Sequence, residues 1–228
     1  MARLPRLYAP GIAQHLVQRA AEGRRLFLDT DDYARFVALL KDAVRPSDFG
    51  LHAYVLLPDR VELLGTPGSP QGGAALLQSI ARVYVPYVNR RSGRTGTLWR
   101  GRFRSNLVDP DAHLLDVMRF IETRPVVEGR AGTAADWPWS SASHHVGAIH
   151  QPFLQDHPRY WALSDTPFGR QATYRALLDT PLDGELVRRV RDTVDRGWAL
   201  GDADFVEAMR QAANRRPQPL PRGRPRKA

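Results

Sequence analysis

The chain has 228 residues, 43% of them hydrophobic and 25% charged, which is the composition of a folded globular protein with one core or one core plus an extension. No run approaches the roughly 20 apolar residues a bilayer span needs, no apolar h-region follows the basic N-terminal residues, and the lack of cysteine excludes disulfides and thiolate metal sites. The net charge of +9 points to a polyanionic partner, with six basic residues (Arg215, Arg216, Arg222, Arg224, Arg226, Lys227) in an acid-free C-terminal tail.

Residues 11–19 alternate enough for a strand. Asp29-Thr-Asp-Asp supplies capping oxygens and acids for a helix start, and Tyr33, Phe36, Val37, Leu39, Leu40 and Val44 follow at helical spacing. Residues 51–57 and 60–64 read as two strands around a tight Pro58-Asp59 turn. A second helix is predicted from Ala74 to about Arg91, with Pro86 expected to kink or break it. A loop over 92–97 precedes a fourth strand at 103–108. Asp109-Pro-Asp111 opens a third helix, whose apolar side is Leu114, Leu115, Val117, Met118 and Ile121.

The order β-α-β-β-α-β-α predicts an α+β fold: a ferredoxin-like antiparallel sheet with helices on one face. A helical C-terminal extension follows, clearest at 170–178, 184–197 and 202–213. The divisions expected are 1–150 for the sheet domain, 151–214 for the extension and 215–228 for a disordered basic tail.

Four segments together resemble the REP-associated tyrosine transposases, a branch of the single-tyrosine HUH transposases. They are Leu51-His-Ala-Tyr-Val-Leu-Leu-Pro-Asp, the stretch from Tyr87-Val-Asn to Gly101-Arg-Phe, Arg119-Phe-Ile-Glu-Thr-Arg-Pro-Val, and Trp137-Pro-Trp-Ser-Ser. The resemblance implies an enzyme that nicks single-stranded DNA beside hairpins. In that family two histidines hold a divalent metal on the scissile phosphate, and a tyrosine hydroxyl attacks it. It also allows for a homodimer.

The residues at those positions do not suit that chemistry. The histidine positions carry Arg60 and Glu62, and the tyrosine position carries Phe120. A carboxylate can ligate Mg²⁺ or Mn²⁺, whereas arginine offers no lone pair and repels a cation. Phenylalanine has no oxygen to attack phosphorus, and Arg124 replaces the family's asparagine. No catalytic residue is intact, so no metal or other cofactor is expected unless the site works with substituted residues. Arg60 and Glu62, two apart on a strand, share a face and are expected to form a solvated ion pair. Of the remaining candidates, His144 and His145 read as a surface pair, His52 and His113 as isolated histidines, and Tyr84 and Tyr87 as core or stacking side chains.

DNA binding is expected from Arg90, Arg91, Arg94, Arg100, Arg102 and Arg104, interleaved with Trp99 and Phe103, so that guanidinium groups meet phosphates while rings stack on bases. In the tail, Arg222, Gly223 and Arg224 form an AT-hook-like core for A·T-rich minor grooves, or else part of a nonspecific basic tail. The function expected is a non-cutting, cytoplasmic, nucleoid-associated protein that binds hairpin or single-stranded DNA. An active single-stranded DNA nuclease and an RNA-binding regulator are the alternatives.

Overall fold

Strands and helices alternate as the periodicity predicts. In the computed structural model, which describes residues 5–220, the elements run β1 (Gln14–Arg19), α1 (Thr30–Val44), β2 (Phe49–Leu57), β3 (Arg60–Pro67), α2 (Gly72–Ser92), β4 (Arg104–Leu107) and α3 (Leu114–Glu122). Shorter and longer helices follow: α4 (Arg124–Val127), α5 (Ala142–His145), α6 (Pro158–Trp161), α7 (Pro167–Asp179), α8 (Gly184–Arg196) and α9 (Ala203–Ala212). The sheet order is β2-β3-β1-β4, antiparallel throughout. This is the ferredoxin-like arrangement.

Strand alternation divides the core in two. Val61 and Leu63 of β3, with Leu16 of β1 and Leu51, Tyr54 and Leu56 of β2, pack under α1 and α2. Helix α1 starts where Asp29 accepts hydrogen bonds from the Asp31 and Asp32 amides, and it buries Tyr33, Phe36 and Leu40. Helix α2 runs unbroken through Pro86. The proline lies on the solvent side, where water can take the carbonyl bond it forgoes, while Tyr84 and Val88 anchor the helix on either side.

The opposite sheet face is covered as well. Ala53, Val55, Leu57 and Leu64 share a second cluster with Val117, Met118, Phe120 and Ile121 of α3, Tyr174 of α7 and Val190 of α8. Helix α3 is therefore enclosed, with Arg119 and Glu122 buried beside its apolar residues. Arg119 donates to the carbonyls of Leu177 at 2.9 Å and Thr180 at 2.8 Å, beyond the end of α7.

The Trp137-Pro-Trp-Ser-Ser segment lies along the free edge of β2. The Leu56 amide donates to Trp139 O at 2.9 Å, the Ser141 amide to Tyr54 O at 3.0 Å, and Trp137 Nε1 to Leu56 O at 3.0 Å. An edge that would otherwise display unpaired backbone groups is thereby closed.

Residues 215–217, expected to begin a disordered tail, are packed. Arg215 donates to Pro5 O at 2.6 Å, and Pro217 O accepts from the Ala199 amide at 2.9 Å. The cause is local: the Arg215 guanidinium stacks over Trp198 at 5.2 Å, so this part of the tail has an aromatic surface to bind. Among the described residues no helix is long and apolar enough to cross a membrane.

Candidate nucleic-acid interface and the Arg60–Glu62 site

Strand alternation points Arg60 and Glu62 away from α1 and α2, toward α3 and α8. Val17 of β1 pairs directly with Glu62, and His15 lies one step along. Helix α3 crosses above and brings Phe120 into the same cleft. A cavity of about 220 Å³ is lined by His15, Arg60, Glu62, Phe120, Arg124 and Arg191. The structure thus gathers the three positions that the sequence reading singled out.

It also overturns the expectation of a solvated ion pair. Arg60 is 8% exposed and Glu62 4%, because α3 and α8 close over the strand. Arg60 Nε donates to Glu62 Oε1 at 2.8 Å, its Nη1 reaches Asp59 at 2.8 Å, and its Nη2 bonds Glu128. Glu62 Oε2 accepts from His15 Nε2 at 3.2 Å, since an ionised carboxylate can only accept. Arg124 Nε stands 3.8 Å from Glu62 Oε1, and its Nη2 bonds Glu128 at 3.3 Å.

Burial alone would raise the Glu62 pKa. The His15 hydrogen bond and the Arg60 and Arg124 charges outweigh it and hold the pKa down at about 2. Burial pulls Arg124 below the ordinary arginine value, and Arg60 beside it adds to this. Arg60 is pushed above its ordinary value: burial works against the shift, but Glu62, Glu128 and Asp59 prevail.

These residues do not fit a divalent metal. Both Glu62 oxygens are already held by donors, and two guanidinium groups occupy the space a cation would need. Phe120 is 4% exposed, packed edge-on against His15 and beneath Arg124, whose guanidinium carbon is 5.2 Å from its ring.

His15 went unnoticed in the sequence. The signal was available: in this fold β1 neighbours β3, and an outward-facing residue of β1 must meet the Arg60–Glu62 side.

The other expected candidates lie elsewhere. His52 is bonded to Gln155 O and Thr66 Oγ1 at 2.6 and 2.9 Å, and burial lowers its pKa to about 4. His113 pairs loosely with Asp116 at 3.7 Å. Tyr84 is a core residue whose hydroxyl donates to Leu26 O at 2.8 Å. His144 and His145, expected on the surface, are instead half-buried and fully buried, because α6 and α7 cover α5.

The basic stretch behaves differently from the buried site. Arg90, Arg94, Arg100, Arg102 and Arg104 are exposed, and among the described residues none is paired with an acid. Arg91 is the exception, tied to Asp29 at 2.6 Å and to Asp32 at the start of α1. Arg102 precedes β4 rather than sharing a strand face with Arg104, because β4 begins at Arg104. Gly93 ends α2 with a φ of 62°, and Gly101 turns the chain between Arg100 and Arg102 with a φ of 66°, a conformation that suits glycine.

Two clefts open on this side. One of about 260 Å³ is lined by Arg6, Gln18, Leu77, Trp99, Arg102 and Phe103. The Arg6 guanidinium lies 3.5 Å over the Phe103 ring; its Nε is buried with no hydrogen-bond partner among the described residues, and burial, reinforced by Arg102, lowers its pKa to about 10. The second, of about 300 Å³, is lined by Arg24, Arg25, Asn89 and Arg94 among others. Arg222, Gly223 and Arg224 lie outside the described residues.

No family model matches the chain, and no curated protein matches it. Nine chains of solved structure match it, two of them as follows. The structure of a REP-associated tyrosine transposase bound to a REP hairpin superposes with a TM-score of 0.55 at 19% identity, covering 69% of this chain and 92% of that one. A Deinococcus radiodurans protein, provisionally named a transposase, gives a TM-score of 0.38 at 20% identity over 54% of this chain and 93% of that one. The second overlap is too loose to bear on the fold. The first shows that this chain shares the fold of the hairpin-bound transposase.

Proposed function

We propose that the chain is a member of the REP-associated tyrosine transposase family that grips hairpin-bearing or single-stranded DNA and does not cut it. The observation that carries this reading is the set of five exposed arginines, Arg90, Arg94, Arg100, Arg102 and Arg104, without acidic partners among the described residues and interleaved along the chain with Trp99 and Phe103, Arg102 sharing a cleft with both rings. Unpaired guanidinium groups bind phosphates without first breaking a bond, and the half-buried Trp99 ring in the same cleft can stack on an unpaired base, whereas one face of Phe103 is taken by Arg6. Arg6 joins them as a residue of the grip, lining the same cleft as Trp99, Arg102 and Phe103.

The non-cutting half of the proposal is supported by the Arg60–Glu62 site. Cleavage would need a metal ligand pair and a nucleophile, whereas this site holds a self-neutralised ion-pair network and a phenyl ring. The tail residues Arg222, Gly223 and Arg224 add a second, duplex-directed contact, and the protein works at the nucleoid in the cytoplasm.

The test is incubation with hairpin-bearing single-stranded DNA and Mn²⁺ or Mg²⁺. Binding without a nick or covalent adduct is expected. A site-specific nick or a protein–DNA adduct overturns the non-cutting reading. A chain that prefers neither hairpin nor single-stranded DNA to a simple duplex overturns the substrate reading.

A further inference from the structure

Helix α5 and the segment leading into α6 bring His144, His145 and Asp156 together, one ligand atom from each lying within 4.8 Å of the others. His144 Nε2 is 3.2 Å from Asp156 Oδ1, and His145 Nε2 is 3.7 Å from the same oxygen. Ligands around a tetrahedral zinc with bonds of about 2.0–2.1 Å stand about 3.3 Å apart. The two nitrogen–oxygen separations are thus close to the edges of such a site, and the third edge is within 4.8 Å.

His145 is held as a metal ligand is held. Its side chain is fully buried, and Nδ1 donates to Glu122 Oε1 at 2.7 Å. Glu122 is fixed in turn by the Ser141 hydroxyl and by the Tyr174 hydroxyl at 2.7 Å. With its proton on Nδ1, the ring presents a lone pair at Nε2, and that buried atom has no hydrogen-bond partner. A carboxylate behind one ring nitrogen and a free lone pair on the other is the outer-shell arrangement that orients histidine ligands and raises their basicity.

We propose that His144, His145 and Asp156 bind a divalent transition metal, zinc foremost, at a site separate from the arginine-filled position on β3. Two imidazoles and one carboxylate suit zinc better than magnesium or calcium, which prefer all-oxygen shells. The exposed His150, its ring 5.4 Å from that of His144, or a water completes the four ligands. The half-buried Asp156 provides the way in.

Binding has one local cost. His144 Nδ1 accepts from the Gln151 amide at 3.1 Å, so without metal its proton sits on Nε2 and is given to Asp156. Metal moves that proton to Nδ1, and the Gln151 amide turns to water. Affinity is therefore lower than in a closed structural zinc site. The bound ion clasps α5 to the segment beside β2, where the Gln155 amide donates to Leu51 O at 2.8 Å.

The test uses the full chain without a histidine tag, stripped by a chelator and titrated with Co²⁺ as a visible probe, then with Zn²⁺ as competitor. One equivalent is expected, with the strong visible absorption of a four-coordinate cobalt site that Zn²⁺ abolishes. Asp156→Asn and His144→Gln each weaken binding at least about tenfold while far-UV circular dichroism stays unchanged. In the unmutated chain, Zn²⁺ must shift the ¹⁵N resonances of His144 and His145. The proposal is overturned if no metal is taken up, if both variants keep it, or if only other histidines shift.

Discussion

On β3 and α4, Arg60 and Arg124 lie among Glu62, Glu128 and Asp59, whereas from the end of α2 to the start of β4 five arginines face solvent, none paired with an acid among the described residues. The residue type is the same and its work is opposite. Buried guanidinium groups are committed to neighbouring carboxylates and tie α4 and Glu128 to β3. Exposed ones keep their donors for a partner. Net charge alone does not separate the two cases; the location of the acids does. The Arg60–Glu62 cleft is electrostatically closed, and the arginine rim is open.

The largest expected effect comes from unbalancing the buried network. Glu62→Ala leaves Arg60 with two of its three acidic partners and Arg124 with one of its two, and breaking a buried pair costs about 3–5 kcal/mol. Chemical denaturation should show a loss of that order while hairpin affinity stays within about twofold, since the rim is independent of this site. A collapse of DNA binding with the fold intact would erase the distinction. The pH dependence has a definite sign. The folded pKa of Glu62, about 2, lies below its unfolded value. Its contribution is therefore present above the ordinary carboxylate range and is lost as pH falls toward 2. Glu62→Gln should flatten that acid limb of the stability curve.

The next effect is on the open side. Replacing Arg100, Arg102 and Arg104 together by Gln removes three unpaired charges beside Trp99 and Phe103. Affinity for hairpin DNA should fall on the order of 100-fold, at about 1 kcal/mol per phosphate contact, with folding stability almost unchanged. If stability falls and binding does not, these arginines are structural and the comparison inverts. A smaller effect is expected at the C-terminus. Deleting residues 218–228 removes Arg222, Arg224, Arg226 and Lys227 but spares the packed Arg215 and Pro217. Duplex binding should weaken, and its log–log salt slope should flatten by up to about 4.

Much of this was legible in residue order. Alternation in β1, β2 and β3 and the helical spacing in α1 gave the sheet and its first layer, because each of those elements buries one face. The enclosure of α3 was not legible. Its second buried face depends on α7 and α8, which arrive some 50 residues later; the helical pattern marks Phe120 as a core residue, but nothing near it in the sequence shows that Arg119 and Glu122 are buried as well. For the same reason Arg60–Glu62 passed for a surface pair and His144-His145 for a surface turn: burial by a distant segment leaves no local period. His15 was missed because its meaning lies in strand pairing, which periodicity within one strand does not report.

The smallest expected effect is the most telling about the closed cleft. Phe120→Tyr restores a hydroxyl at the position where the family resemblance places its nucleophile, and the cavity beside it, about 220 Å³, has room for one more oxygen. If the missing nucleophile were the sole defect, the variant would form an adduct with single-stranded DNA in Mn²⁺. The network argues otherwise. The added hydroxyl would still face Arg60 and Arg124 where a metal should polarise the phosphate, and both Glu62 oxygens would remain held by His15 and Arg60. Denaturing electrophoresis after incubation should show no protein–DNA adduct and unchanged hairpin affinity. An adduct would mean that guanidinium groups can stand in for the metal. The cleft would then be one oxygen short of an active site, and the contrast between closed cleft and open rim would rest on Phe120 alone.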